Sequence, residues 1–233
     1  MMKVDIISAV PQMLDSLLYN SILQRGIDRK IIEIVVHNLR DWTTDKHKII
    51  DDTPYGGGPG MILKADIVSK AIRDLRKSNS LVIYTSPRGK TFNQNLAREM
   101  STYEHLIILC GHYKGMDERA MKSVDMEISV GDYILSGGEI PATLICDAVL
   151  RLVPGVMSDI ESANGDSFEN ILLDCAYYTR PYDFEGEKVP DILCSGNHKE
   201  IEKWRLQDSI EITKSRRPDL YELYKMSLKN KNS

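Results

Sequence analysis

Short β-branched runs alternate with helix-length amphipathic stretches through most of the chain, and this alternation restricts the possible fold more than any other feature. Residues 2–7, 31–37 (Ile-Ile-Glu-Ile-Val-Val-His), 81–85, 106–110 and 127–130 read as strands. Between them, residues 11–26 read as a helix with Gly26 as its stop, and helical periods recur at 64–77, 93–100, 117–124 and 139–152. Strand, helix and strand in succession is a βαβ unit, so the predicted fold is α/β, a mostly parallel sheet with flanking helices. From 199 to 214 and from 218 to 228 two amphipathic stretches follow, predicting a small helical C-terminal domain, with irregular chain around Cys175–Pro181 and Pro190.

The strand ends carry unusual backbone freedom. Residues 126–141 place Gly131, Gly137 and Gly138 between a strand-like and a helix-like run, where each glycine permits φ > 0 or a close approach that a Cβ would block. Gly111-His-Tyr-Lys-Gly115 and Ser86-Pro-Arg-Gly89 also follow strands, so three strand ends carry loops suited to one shared ligand site. Turns in a crowded core would use the same glycines. Upstream, Asp51–Gly60 holds four glycines and two prolines in ten residues, a shaped loop rather than a regular element.

Of the 233 residues, 42% are hydrophobic and 27% charged, enough for a sizeable core and a second, smaller domain. No apolar run of about 18 residues occurs, and Met1–Ile7 reads as a first strand, not a signal segment, which predicts a cytoplasmic protein with no membrane partner. Cys110, Cys146, Cys175 and Cys194 show no CxxC spacing, so neither a disulfide nor structural zinc is expected. The net charge of −4 argues against indiscriminate nucleic-acid binding. It conceals an asymmetry: residues 198–233 carry nine Lys/Arg against six Asp/Glu, +3, which leaves −7 for the rest. Such a tail suits a selective RNA or nucleotide partner, although a solvated helix face has the same composition. The resulting division is residues 1–157, a mobile linker at 158–170, and a helical domain at 171–233.

Several motifs occur together in order: Asp51-Asp52 with Pro54–Met61, Tyr84-Thr-Ser-Pro87, Gly111–Arg119, Gly131-Asp-Tyr-Ile-Leu-Ser-Gly-Gly-Glu139, Asp166-Ser-Phe168, Asp174-Cys175, Tyr178-Thr-Arg-Pro181 and Ser195-Gly-Asn-His198. In these the chain resembles, nearly end to end, the bacterial tRNA (guanine-N1-)-methyltransferases of the knotted SPOUT class. The resemblance implies a trefoil-knotted sheet, S-adenosyl-L-methionine held in the knot, and a homodimer in which one subunit's linker completes the other's site. It also implies methylation of guanine N1 at position 37 of tRNA, 3′ to the anticodon, which supports reading-frame maintenance. A knot lies beyond anything that periodicity can indicate.

The residue chemistry agrees. Adenine and ribose need backbone donors and acceptors free of intruding side chains. Gly111, Tyr113, Val130, Gly131, Asp132, Tyr133, Ile134, Leu135, Gly137 and Gly138 are the candidates, with Tyr84, Ser86 and Pro87 as walls. The absence of GxGxxG after the first strand weakens a nicotinamide-dehydrogenase reading. Methylation at N1 needs a base for the N1 proton and a cation for the charge gathering on O6. The resemblance assigns these to Asp166 and Arg151, whereas bare spacing favours a solvated acid and an arginine that interacts with the helix dipole.

One loop departs from the family. Where relatives read Gly-Arg-Tyr-Glu-Gly, this chain has Gly111-His112-Tyr113-Lys114-Gly115. The charge at 114 is reversed, so a glutamate role near the cofactor's methionyl end or near Mg2+ does not transfer to Lys114; Asp174 and Glu118 are the candidates to compensate. His112 and His198 lack partners at metal-ligand spacing. In the tail, Asn197, His198, Lys199, Lys203, Arg205, Arg216 and Arg217 form a candidate tRNA-binding surface, suited to phosphate contacts. Two alternatives remain: methylation of another RNA site, and a non-catalytic RNA- or nucleotide-binding protein.

Overall fold

The computed structural model describes residues 1–19, 21–157, 166–168 and 170–231. The chain divides into two compact units, Met1–Ser158 and Asp159–Ser233. Most of the expected 158–170 linker lies outside the described residues.

In the first unit, β1 (Met2–Ser8), β2 (Ile32–Asn38), β5 (Ser80–Thr91), β6 (His105–Leu109) and β7 (Met126–Ser129) form a sheet in the order β2-β1-β6-β5-β7. Its pairings are all parallel. Between β2 and β5, the two-residue strands β3 (Asp51–Asp52) and β4 (Ile62–Leu63) pair antiparallel and clip the base of the glycine-rich loop. The helices are α1 (Asp15–Leu18), α2 (Ser21–Asp28), α3 (Ala65–Leu75), α4 (Gln94–Ser101) and α5 (Glu139–Leu150).

A sheet covered on both faces explains why β6 is apolar from Leu106 to Leu109, since alternate residues point into opposite layers. Leu106 and Ile108 join Val4, Ile6, Leu81 and Ile83 on the side of α2, α4 and α5. Ile107 and Leu109 join Ile7, Val82 and Tyr84 on the side of α3. Each such side chain contributes roughly 1.5–3 kcal/mol by leaving water. Local signals set the ends: the Asn93 side chain accepts from the Leu96 N–H and caps α4.

Three expectations require correction. Residues 11–26 are not one helix: a 3-10 turn at Pro11–Met13 precedes α1, and Ser21 opens α2 at φ 54°. Gly26 lies inside α2 instead of ending it. A Cβ there would stand 3.0 Å from Ile32 Cδ1 and 3.2 Å from Val156 Cγ2, so this glycine admits neighbouring chain. The expected helix at 117–124 is a 3-10 turn, Glu118–Ser123, started by the Asp117 side chain. Finally, Ser86–Gly89 does not end a strand but bulges out of β5, because Thr85 and Lys90 both register with Ile128.

The second unit contains β8 (Asp183–Phe184), β9 (Glu187–Lys188), α6 (Asp191–Cys194), α7 (His198–Arg216) and α8 (Pro218–Lys231). The β8–β9 hairpin falls in chain that reads as irregular. Its Glu185-Gly186 turn, at φ 57° and 91°, has the twist that joins two strands directly. Thr213, buried on α7, accepts from the Leu173 N–H at 2.8 Å and ties the entering segment to the helix. Among the described residues, no helix is long and apolar enough to cross a membrane.

One buried charge cluster crosses the sheet. Asp5 is fully buried on β1, with His37 Nε2 at 2.8 Å from β2, His105 Nε2 at 2.7 Å from β6, and Lys3 Nζ at 3.1 Å. Burial pushes its carboxyl up, but the bonds from His37, His105 and Lys3 outweigh this and hold it at about 2. The folded value is below the unfolded one, about 3.9, so the stabilisation is complete above pH 4 and is lost as pH falls through about 2. It is on the order of 2 kcal/mol. Asp5→Asn should therefore lower stability at neutral pH, and its deficit against the wild type should shrink as pH drops from 4 to 2. Denaturant unfolding across that range checks this; two parallel stability curves would contradict it.

Candidate functional site

The sheet order places β6, β5 and β7 side by side. The bulge of β5 at 86–89 and the segments that follow β6 and β7, 111–115 and 130–138, are therefore brought to one place, at the usual crevice of a parallel sheet. These segments enclose a cavity of about 510 Å3, within the range of small-molecule sites. Of the sequence candidates, Tyr84, Ser86, Pro87, Gly111, Tyr113, Val130, Gly131, Tyr133, Ile134, Leu135, Gly137 and Gly138 line it; Asp132 does not.

A single junction holds the loops together. The Gly138 N–H donates to the Gly111 carbonyl at 2.6 Å, and the Gly111 N–H donates to Thr85 Oγ1 at 3.0 Å. Thr85 is buried and lies 3.3 Å from the Leu109 carbonyl, a second hydrogen-bond partner for its hydroxyl. A Cβ on Gly138 would come within 2.1 Å of Thr85 Oγ1 and 2.3 Å of the Gly111 nitrogen. Gly138 itself sits at φ −85°, so close approach, and not a positive φ, requires glycine there.

Arg88, His112, Lys114, Gly115, Ile128, Ser129, Ser136 and Pro141 also line the cavity, inside the stretches read as a shared site but not singled out as individual candidates, and sequence reasoning passed over Thr85 and Met116. Thr85 and Arg88 lie inside quoted motifs, but a threonine in a strand gives no sign of bonding across two loops. Beneath the cavity, Glu139 is buried in the first turn of α5. Its Oε1 accepts from Ser8 Oγ at 2.7 Å, while its Oε2 and the buried Nδ1 of His112 have no hydrogen-bond partner. Burial, followed by the Glu127 charge, pushes the Tyr84 hydroxyl upward. Arg88 Nε forms an ion pair with Glu127 Oε1 at 3.4 Å, without hydrogen-bond geometry, and this charge raises the guanidinium above its ordinary value.

Lys114 is exposed, and its N–H donates to the Met61 carbonyl at 2.9 Å. Its stem packs on Gly60, where a Cβ would meet Lys114 Cγ at 2.6 Å, so the glycine-rich loop accommodates this lysine. Among the described residues, no three His, Cys, Asp or Glu side chains group as a metal site. With a cation at 114 and no carboxylate among the cavity's lining residues, these residues do not fit Mg2+.

Arg151 is the half-buried C-cap of α5, outside the cavity lining, with its N–H on the Asp147 carbonyl. Asp166 belongs to the second unit, where it opens a turn. Phe168, at φ 75°, donates its N–H to the Leu172 carbonyl, and Ser167 Oγ accepts from the Asp174 N–H at 2.9 Å. Burial and then the Asp166 charge raise the Asp174 carboxyl above its ordinary value. Asn197, His198, Lys199, Lys203, Arg205, Arg216 and Arg217 are all exposed along α7 and its two ends. Residues 198, 205 and 216 fall on one helical line, while Lys203 pairs with Glu200 and Arg217 with Asp219.

The junction gives a direct prediction. Gly138→Ala places a methyl against backbone atoms that cannot swing aside, so it should cost about 3 kcal/mol or more and distort the cavity. Unfolding curves check this, and a change under 1 kcal/mol would contradict it.

The chain resembles known proteins along nearly its whole length. The family model for tRNA (Guanine-1)-methyltransferase TrmD matches residues 2–223. A tRNA (guanine-N(1)-)-methyltransferase of Dictyoglomus turgidum is 50% identical over 222 residues, covering 95% of this chain and 91% of the relative. That of Cytophaga hutchinsonii is 51% identical over 226 residues, 96% of each. That of Clostridium beijerinckii is 48% identical over 239 aligned residues, the whole of each.

Proposed function

Because this chain belongs to the tRNA (guanine-1)-methyltransferase family, of the knotted SPOUT fold class, we propose that it methylates N1 of guanine 37, 3′ to the anticodon. The donor is S-adenosylmethionine, the setting the cytoplasm, and the consequence support of the reading frame. The observation carrying this reading is the Gly111–Gly138 junction: a cavity of suitable volume between loops that meet so closely that a Cβ on Gly138 would collide with Thr85 and the Gly111 backbone.

When bound, S-adenosylmethionine supplies a methyl group on a positively charged sulfur. Loops 111–115 and 130–138 offer N–H and C=O groups to adenine and ribose, and Tyr84 and Pro87 close the sides. Asp166 removes the N1 proton, and Arg151 balances the charge gathering on O6. Residues 1–157 are the catalytic part, 158–170 the linker, and 171–233 the part that grips tRNA.

The test is nucleoside mass analysis of tRNA incubated with methyl-labelled donor. Label should appear on N1 of guanine 37, and label on another base would overturn the assignment of position. Asp166→Asn should slow transfer roughly 10²- to 10⁴-fold. It should keep the thermal stabilisation by S-adenosylhomocysteine, about 2.7 kcal/mol at 100-fold excess over Kd. Loss of binding in step with rate would instead make Asp166 part of the pocket.

A homodimer with shared sites follows from the same reading. Its support is an uncovered apolar face: Ile140 and Leu144, one turn apart on α5, and Ile134 on the preceding loop, 80% exposed. Ser86→Trp should fill the cavity without touching the junction. When that protein and Asp166→Asn, each inactive, exchange subunits, a mixed dimer holds one intact site if sites are shared. About a quarter of wild-type activity should return. No recovery despite proven exchange would place cavity and base in one chain.

A further inference from the structure

A second cavity lies wholly within the second unit, with a volume of about 540 Å3. Three tyrosine rings face it, and folding leaves them in water: Tyr177 is 70% exposed, Tyr178 50% and Tyr182 46%. Burying such rings is worth more than leaving them out, so an exposed cluster marks a surface kept for a partner. Two of the rings are held in place. The Tyr182 hydroxyl donates to Asp191 Oδ1 at 2.7 Å, and Tyr178 leans on Trp204 with ring centroids 6.3 Å apart. Arg180 and Arg205 also line the cavity, both exposed and, among the described residues, in no salt bridge.

We propose that this cavity takes an unstacked nucleobase of the tRNA, stacked on the tyrosines and held through its carbonyl oxygens and flanking phosphate by Arg180 and Arg205. The proposal rests on the reading above that the chain acts on tRNA. A nucleobase matches each feature: flat faces for fixed aromatic rings, acceptors for unpaired guanidiniums, and negative charge beside a positive wall. An apolar protein segment would leave both arginines without acceptors.

Two measurements test it in the full-length protein. Tyr177→Ala should weaken tRNA binding about 5- to 150-fold, the range for losing one stacked base. Tyr177→Phe should bind like wild type, and the salt dependence should stay unchanged in both. Arg205→Ala should instead reduce the slope of log affinity against log salt by about one. Cys194 lines the same cavity and is the exposed one of the four thiols. Saturating tRNA should slow its alkylation at least about tenfold, as expected when a ring system covers the cavity. Unchanged binding by Tyr177→Ala, or unchanged alkylation with tRNA bound, would overturn the proposal. Protection that rises with protein concentration in the absence of RNA would also do so, by making a second copy of this chain the occupant. A wild-type protein that fails to bind tRNA would overturn the underlying reading, and this proposal with it.

Discussion

The hydrogen bond from Gly138 to Gly111 is the constraint on which the first unit's architecture turns. It joins the start of α5 to the end of β6, and the Thr85 hydroxyl joins both to β5 at the start of its bulge. Three chain segments far apart in sequence become one wall, at a spacing that only glycine allows. Without that contact the β5 bulge and the loops after β6 and β7 would be separate excursions from the sheet, none able to define a cavity.

The sheet beneath supplies rigidity. Its central strand β6 is buried on both faces, and Asp5 links three neighbouring strands through His37 and His105. A buried carboxylate is tolerable only when its oxygens are bonded, so this cluster fixes strand register as well as contributing stability. Register sets where each strand stops, and the strand ends set the cavity. Beside it, Glu139 remains incompletely bonded in a well-packed region. Such a group is out of place in a purely structural core and in keeping with a site.

The parallel α/β architecture was legible in the alternation of periods, because burial on both faces writes a continuous apolar run at 106–110. The glycine loops were legible as loops, and the strand order brings them together. What escaped was set by contacts between distant residues. Gly26 looks like a helix stop from its neighbours alone, and only Ile32 and Val156 explain it. The Ser86–Gly89 bulge depends on its pairing with Ile128, and the β8–β9 hairpin is too short for any alternation to show. Thr85 carries no local mark of its bonds across two loops. The roles proposed for Asp166 and Arg151 rest on motif resemblance alone: an acid in a polar stretch and an arginine at a helix end have no distinguishing pattern of their own.

Amide hydrogen exchange with and without S-adenosylhomocysteine tests most directly whether the junction builds a cofactor site. Binding should slow exchange at 84–89, 111–115 and 130–138 together, with the Gly111 and Gly138 amides among the most protected, while α7 stays unchanged. Protection confined to the second unit, or to one of these loops without the others, would contradict a site built by their convergence.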